Sequence, residues 1–219
     1  MKFVVIGLGL FGKRLTLELA QQNHEVLVID NDEDHIQEVY DLVTRAVVGD
    51  ATNENLIKEL VTPDIDAAIV AIGSSVEASL LSVLHLQQVG VKNIYVKSNQ
   101  PGHTTILQRL GVSAVIRPEE DSADRLSERL GRPHVRDHVK IRENCSLLEL
   151  EVPPEFVEKK LADLKLRQNY RINVIGIQES TEEEMNFIPS PDYKFKKNDT
   201  MLLVASQDKL EGFMSLYGG

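Results

Sequence analysis

The sequence of 219 residues predicts an α/β fold: a Rossmann-like doubly wound parallel sheet followed by a smaller α+β domain. Up to about residue 120, short apolar runs alternate with segments of helical periodicity, which is typical of a parallel sheet built from β-α-β units. These runs are apolar throughout, as in strands whose two faces are both covered by helices. Beyond about residue 137, strand-like runs follow one another with few helices between them, which favours a separate α+β domain.

The first thirty residues form one complete β-α-β unit. Residues 2–6 are an apolar strand, residues 7–12 read GLGLFG, residues 13–22 continue at helical spacing, and residues 25–30 form a second apolar strand. The glycine triplet is therefore a GxGxxG turn between a strand and a helix. In this context the pattern indicates a nucleotide-binding turn.

Each glycine of that turn has a structural role. Gly7 allows the tight turn, Gly9 lets a phosphate approach the backbone, and Gly12 lets the helix pack closely on the strand. Free N–H groups at the helix start bind phosphate oxygens. Asp30, at the end of the second strand, is placed to accept hydrogen bonds from a ribose. The sequence therefore predicts an adenine-nucleotide site.

The same alternation continues to the end of the predicted sheet. Further strands are predicted over residues 46–48, 66–72, 93–97 and 114–116, and helices over 53–61, 78–89 and 103–110. A second tight turn, at Gly73, follows the fourth strand. Both turns then lie at the carboxyl edge of the sheet, where open α/β folds bind ligands.

The domain organisation follows from these patterns. We expect a nucleotide-binding domain over residues 1–118, a crossover helix and hinge over 119–136, and an α+β domain over 137–219. The predicted crossover helix runs from Pro118 to Leu130, with acids in its first turn. In the last domain we expect strands over 145–152, 172–177 and 200–205, helices over 157–164 and 209–216, and an acidic loop at 180–184.

Composition excludes several classes of function. The formal net charge is -10, which argues against nucleic acid as a partner and against binding to anionic membranes;. No apolar run approaches the ~18 residues that span a bilayer, and no charged-then-apolar leader begins the chain. The single cysteine, Cys145, excludes an intramolecular disulfide and a cysteine-rich zinc site;. We therefore expect a cytoplasmic protein.

The histidines do not suggest a catalytic or metal site. His134 and His138 have the spacing of two ligands on a helix, but Gly131 and Pro133 disfavour a helix there;. We expect these two side chains to be solvated residues between the domains. No histidine has an acid placed for a proton relay, so no catalytic residue is predicted.

Several motifs in a fixed order extend the interpretation to a family. They are VIGLGLFG at 5–12, VID at 28–30, GDAT at 49–52, IVAIG at 69–73, NIYVK at 93–97, LGV at 110–112, IRPE at 116–119, LADLKLR at 161–167 and INVIGI at 172–177. With these motifs the chain resembles, over essentially its whole length, the cytoplasmic RCK regulatory subunits of bacterial Trk/Ktr potassium-uptake systems.

This resemblance implies a nucleotide sensor and no enzyme. ATP or ADP is the first ligand it implies, with AMP or NAD(H) left open. Homodimers would assemble into an octameric ring on the inner face of the cell membrane, bound to a membrane-embedded cation transporter subunit. Two alternatives remain: a cation/proton antiporter as the partner, or an NAD-dependent oxidoreductase, the class most often associated with the fold.

The resemblance also implies which residues form the nucleotide site. They are Gly7, Gly9, Leu10, Phe11, Gly12, Asp30, Asn31, Asp50, Ala51, Thr52, Ala71, Ile72, Gly73, Lys97 and Glu119. The glycine turn would hold phosphates and Asp30 the ribose. The adenine would lie near the turn at 50–52, with residues 71–73 as the opposite wall.

Two charged residues of this set have alternative interpretations. The Lys97 ammonium would reach phosphates from the end of the fifth strand, or it is only a solvated strand-end charge. Glu119 would help to hold a divalent or monovalent cation at the dimer interface, near the phosphates of two nucleotides. Otherwise Glu119 is a helix-start acid stabilised by the helix dipole.

The chain departs from the family pattern at Leu10. Ktr-type members often have an arginine there that contacts the terminal phosphate of the nucleotide on the partner subunit. A leucine cannot do so, and the loss of one charge-assisted contact would cost about 1.5–3 kcal/mol in preference for ATP. Leu10 is thus the residue expected to set which nucleotide is sensed.

The second domain resembles a module that binds cyclic di-AMP between two copies in some firmicute proteins. Arg167 and Asn173 match positions that contribute there, while Ile172 stands where a histidine often contacts the ligand. The alternative is that Arg167 is a surface charge and that the module only dimerises.

Overall fold

The computed structural model describes residues 1–142 and 144–218. The chain divides into two compact units, Met1–Glu120 and Asp121–Gly219. Within the described residues, no helix has the length and apolar character that crossing a bilayer requires.

The first unit contains a six-stranded, all-parallel sheet with the strand order β3-β2-β1-β4-β5-β6. Its strands are β1 (Lys2–Ile6), β2 (Glu25–Asp30), β3 (Arg45–Val48), β4 (Ala67–Val70), β5 (Ile94–Lys97) and β6 (Ala114–Ile116). The order reverses between β1 and β4, so a crevice opens at their carboxyl ends. The predicted Rossmann-like doubly wound sheet is confirmed.

Helices cover this sheet on both faces. They are α1 (Leu10–Gln21), α2 (Glu33–Gln37), α3 (Glu54–Leu60), α4 (Val76–Val89) and α5 (Pro101–Arg109), with a 3-10 turn at Tyr40–Leu42. The next helix, α6 (Pro118–Gly131), contains the boundary between the units. Because side chains alternate along a strand, Val4 and Ile6 enter one core and Val5 the other.

Local chemistry sets the ends of these helices. The side chains of Asn53 and Ser75 accept hydrogen bonds from backbone N–H groups at the starts of α3 and α4;. Gly90 ends α4 in the left-handed conformation, with φ of +98°;. The sequence patterns gave no prediction for α2 or for the 3-10 turn, which are both too short to show a helical period.

The second unit is a four-stranded antiparallel sheet with helices, in the strand order β7-β8-β10-β9. Its elements are β7 (Val135–Arg142), β8 (Cys145–Glu151), a 3-10 turn (Pro154–Phe156), α7 (Leu161–Leu164), α8 (Leu166–Tyr170), β9 (Asn173–Gln178), β10 (Thr200–Ala205) and α9 (Gln207–Tyr217). Buried Phe156, Phe195 and Phe213 contribute to its core. The predicted α+β class of this part is confirmed.

One helix of the second unit was predicted with the wrong extent, and one strand was not predicted. The helix expected over 157–164 is limited to Leu161–Leu164, because Glu158 has a φ of +65° and Lys160 forms a β-bridge with Lys194. In addition, β7 was not predicted, and it carries His138 into a buried position.

His138 is therefore not the solvated residue that the sequence suggested. Its side chain is 5% exposed, and its Nδ1 lies 2.8 Å from Oε2 of Glu128. The register of β7 shifts between Val135 and Asp137, and this irregularity leaves His138 as well as Val135 buried;. A strand at this position separates His134 and His138 by more than the helical spacing would, so the two do not form a metal pair on a helix.

Candidate functional site

A cavity of about 460 Å³ opens at the carboxyl edge of the parallel sheet. It lies where β1, β2 and β4 end, at the reversal of strand order. The sequence-predicted residues that line it are Gly7, Gly9, Leu10, Phe11, Asp30, Asn31, Asp50, Ala51, Ala71, Ile72, Gly73 and Lys97. The fold thus brings together, around one cavity, residues that lie up to ninety positions apart in the chain.

The tight turn between β1 and α1 depends on Gly7 and Gly12. Gly7 has a φ of +93°, and its N–H donates to the carbonyl oxygen of Ile29 at 2.9 Å. A Cβ on Gly12 would collide with the carbonyl oxygen of Gly7 and lie 3.1 Å from the Cβ of Ala71. Gly12 lies outside the cavity lining, so its role is close packing of α1 on the sheet.

Gly9 faces open space. A Cβ built on Gly9 would meet no atom within 4 Å, and Gly9 lines the cavity. Its φ is -57°, which other residues adopt readily;. Folding therefore does not require a glycine at this position, whereas the close approach of a ligand to the backbone does.

The start of α1 has the features of an anion-binding position. Gly9 precedes the helix without any side-chain hydrogen bond, and the first turn contains no acidic residue. Side chains cap the starts of α2, α3 and α4. The first N–H groups of a helix have no partner inside the helix and carry its positive dipole end. Because Gly9, Leu10 and Phe11 line the cavity, that positive end faces it.

Asp30 occupies the opposite side of the glycine turn and is 8% exposed. Its Oδ2 accepts a hydrogen bond from the N–H of Leu8 at 2.5 Å, and its Oδ1 accepts one from the N–H of Asp32 at 2.9 Å. The carboxylate is thus fixed in orientation by two backbone donors. Each oxygen keeps a second lone pair for a hydroxyl donor from the cavity.

His35 is a lining residue that sequence reasoning missed. It lies on α2, and its Nδ1 is 3.6 Å from Oδ2 of Asp30. Its position five residues beyond Asp30 was visible in the sequence, but only the structure shows that α2 places it at the cavity. Other lining residues outside the predicted set are Ile6, Ile29, Asp32, Gly49, Ser74, Ser75 and Ala78.

The turn after β3 forms a further wall. Oδ1 of Asp50 accepts hydrogen bonds from the backbone N–H and the hydroxyl of Thr52, at 2.9 and 2.8 Å. These two bonds lower the pKa of Asp50. His85 of α4 donates from Nε2 to the carbonyl oxygen of Thr52 at 3.1 Å. The hydroxyl of Ser82 donates to the carbonyl oxygen of Ala78 at 2.8 Å and lies 3.4 Å from the carbonyl oxygen of Ala51. Thr52 does not line the cavity, and its hydrogen bonds help to fix the conformation of the turn.

Lys97 is paired with Glu119. The ammonium of Lys97 lies 2.6 Å from Oε1 of Glu119, and the two side chains are 15% and 63% exposed. The hydrogen bond from Lys97 lowers the pKa of Glu119. A solvated strand-end charge does not fit the burial of Lys97, whose Nζ lies 3.9 Å from where a Cβ of Gly73 would be.

Glu119 does not reach the cavity lining, and its described surroundings are not those of a metal ligand. Among residues 1–142 and 144–218, no group of three or more His, Cys, Asp or Glu side chains is placed to hold a metal ion. One chain alone therefore does not assemble the cation site that the resemblance implies, and that site stays a prediction about a dimer.

Arg167 and Asn173 belong to the second unit and do not line this cavity. Arg167 is on α8 and Asn173 begins β9, and both are exposed. Between them in sequence, Ile172 is fully buried in the core. Ile172 is therefore fixed by packing and is not available to a surface ligand.

The architecture and the cavity define the class of the protein. A 3-2-1-4-5-6 parallel sheet with a GxGxxG turn, an acid at the end of β2 and a cavity between them is a Rossmann-like domain of the dinucleotide-binding type;. A small antiparallel unit follows it.

Family comparison identifies the chain within that class. Residues 3–118 match the TrkA-N domain model, and residues 147–218 match the TrkA-C domain model. The chain belongs to the family of proteins that join a TrkA-N to a TrkA-C domain, so the predicted resemblance to RCK subunits of Trk/Ktr systems is confirmed.

Named relatives match almost the whole chain. The chain is 32% identical over 212 residues to the Ktr system potassium uptake protein C of Bacillus subtilis (strain 168), covering 97% of this chain and 95% of that protein. It is also 32% identical over 211 residues to the Ktr system potassium uptake protein A of Vibrio alginolyticus, covering 95% and 94%.

Solved structures share the fold at lower identity. The GsuK channel matches with a TM-score of 0.69 and 18% identity, over 100% of this chain. This chain spans 39% of that channel chain. The same channel bound to NAD matches with a TM-score of 0.65 and 18% identity, covering 100% of this chain and 39% of that one.

Proposed function

We propose that the chain is a cytoplasmic nucleotide-sensing regulatory subunit of a Trk/Ktr-type potassium uptake system and is not an enzyme. The observation that carries the proposal is the uncapped start of α1 facing a cavity opposite the oriented carboxylate of Asp30. An anion-binding helix start and a hydroxyl-binding acid are the two halves of a nucleotide site. The potassium-uptake relatives supply the physiological context.

The proposed binding mode uses the cavity in three parts. Phosphates bind at the N–H groups of Gly9, Leu10 and Phe11, with Lys97 in reach of the terminal ones. Asp30 accepts hydrogen bonds from the ribose hydroxyls, next to Asn31. The adenine lies between the turn at 50–52 and the wall at 71–73. ATP or ADP is the first proposed ligand, and Leu10 leaves AMP and NAD(H) open.

The proposed regulation requires assembly. Homodimers that pair through residues 1–118 form an octameric ring, which acts on a membrane-embedded cation transporter subunit from the inner face of the membrane. Residues 119–136 serve as crossover helix and hinge, and residues 137–219 as the second domain. Such coupling requires the ligand to bind two shapes of the ring with different affinities.

The proposal has three finer parts. A cation shared through Glu119 would lie at the dimer interface. Cyclic di-AMP would bind near Arg167 and Asn173 of two copies, or the second domain would only dimerise. The membrane partner would be a potassium transporter or, as an alternative, a cation/proton antiporter.

A thermal-shift series against ATP, ADP, AMP, NAD⁺, NADH and cyclic di-AMP tests the proposal. A ligand that binds only the folded protein at 100 times its Kd stabilises it by about 2.7 kcal/mol, so adenine nucleotides should raise the Tm. If no adenine nucleotide changes the Tm, the sensing proposal is wrong. Turnover of NADH with a small carbonyl compound would instead support the oxidoreductase, and a stable monomer at micromolar concentration would contradict the assembly.

A further inference from the structure

The charges around the cavity are mostly negative. Among the described residues that line it, Asp30, Asp32 and Asp50 are acidic, whereas Lys97 is the single lysine or arginine. When a ligand carries more phosphates, the positive groups available to them among these residues are therefore Lys97 and the N-terminal end of α1. The state of Lys97 then decides how strongly the site responds to ligand charge.

Lys97 is not a free cation in this structure. Its side chain is 15% exposed, and its ammonium is bound to Glu119 at 2.6 Å. An ammonium has three N–H donors, but the donor bound to Glu119 is available to a phosphate only when the pair opens. Attraction between opposite charges grows as solvent is excluded, and Lys97 lies at a mostly buried position.

Glu119 is much more exposed than its partner. Its side chain is 63% exposed and lies in the first turn of α6, so that a carboxylate released from Lys97 would be solvated by water. The next residue, Glu120, pairs with Arg117 instead. Two adjacent carboxylates of the same helix turn thus have different partners, and only the first of them is bound to the cavity's lysine.

We propose that Glu119 competes with the ligand's terminal phosphate for Lys97 and thereby keeps the affinities of the site for adenine nucleotides of different phosphate charge close together. The inference rests on the nucleotide site proposed above and adds a residue that sets its specificity. Occupancy then follows the ratio of two nucleotides, because a site that binds both with similar affinity is filled by the more abundant one.

Calorimetric titration of the full chain with ATP, ADP and AMP, in buffer with a chelator and no divalent cation, tests this role. In Glu119→Gln the competing charge is lost while the shape is kept, so the ratio of ATP to AMP affinity should rise about tenfold. The matched control Glu120→Gln should leave that ratio unchanged. A Glu119→Gln protein whose ratio is unchanged, or which binds ATP more weakly, overturns the inference.

A double-mutant cycle with Lys97→Met shows whether Glu119 acts through Lys97. In the Lys97→Met background, Glu119→Gln should no longer change the ratio of affinities. A change that persists there would overturn the competition, because Glu119 would then repel phosphates directly. If the wild-type chain binds none of the three nucleotides, the proposed function fails; if it binds them and only the ratio fails to move, this inference alone fails.

Discussion

The carboxylate of Asp30 accepts a hydrogen bond from the backbone N–H of Leu8, over a distance of 2.5 Å. This contact joins the end of β2 to the glycine turn that follows β1. Since Asp30 is 8% exposed, the bond forms away from bulk solvent. The proposed ribose-binding group is therefore also a part of the turn that would bind the phosphates.

Asp30→Asn should impair both stability and binding. An asparagine has one acceptor oxygen for two backbone donors, so one N–H is left poorly paired, at a cost of about 1–3 kcal/mol in the free energy of unfolding. The affinity for adenine nucleotides should fall at least about tenfold as a charge-assisted bond is lost. Urea unfolding and calorimetry measure the two effects. Asp41→Asn, on the exposed 3-10 turn, should change neither.

Gly9→Ala should weaken nucleotide binding without destabilising the folded protein. The added methyl group meets no protein atom within 4 Å, but it stands where a phosphate would approach the backbone. We expect an unchanged or slightly higher Tm without ligand and the loss of most of the nucleotide-dependent rise in Tm. A variant that keeps the full rise would show that phosphates do not contact this turn.

Gly12→Ala should lower the free energy of unfolding. Its methyl group would collide with the Gly7 carbonyl oxygen, and overpacking of this kind costs about 1–3 kcal/mol. The control is Gly102→Ala in α5, where a Cβ meets nothing within 4 Å and where alanine is favoured by up to about 1 kcal/mol. Equal free energies of unfolding for the two variants would contradict the close packing of α1.

Leu10→Arg should increase the preference for ATP. Leu10 is 97% exposed, so an arginine fits there without repacking. If a second subunit presents its nucleotide to this position, one regained charge-assisted contact raises ATP affinity relative to ADP about tenfold or more. Leu42→Arg, at another exposed leucine, should leave the ratio unchanged. The wild-type chain should bind ATP less than about a hundredfold more tightly than ADP, and a larger ratio would refute the argument about Leu10.

The Lys97–Glu119 pair should also contribute to stability in a pH-dependent way. Lys97 lowers the pKa of Glu119 below its ordinary value of 4.5, so the unfolded chain takes up this proton first as the pH falls. The contribution is complete above pH 4.5 and is lost as the pH falls through the folded-state pKa;. Free energies of unfolding measured from pH 6 to pH 3 should therefore fall less steeply in Glu119→Gln than in the wild type. Parallel curves would contradict the pair, and high salt should reduce the difference.

The sequence predicted the parallel sheet well because its signals are local. Strand β4 is buried along all four residues, Ala67–Val70, and reads as an apolar run. The turn at Gly7 and the acid at Asp30 also stand next to recognisable strands. Such features need only the chain's own periodicity and the rule that parallel strands end at one edge.

The remaining features depend on contacts distant in sequence. The pairing of Lys97 with Glu119 joins the end of β5 to the start of α6, across 22 positions. The position of His35 depends on the direction of a five-residue helix, and β7 alternates too irregularly in polarity to be recognised before its partner β8 is known. Periodicity carries no information about such contacts.

The contact between α4 and the turn after β3 has a consequence for the entropy of ligand binding. His85 is buried, and its Nε2 donates to the carbonyl oxygen of Thr52 at 3.1 Å, so that a side chain of α4 fixes a backbone group of this turn. A wall that is already rigid loses little conformational entropy when a base packs against it. If the chain binds an adenine nucleotide as proposed, the base would then cause little rearrangement of its own, and a conformational change would start at the phosphate-binding turn before α1.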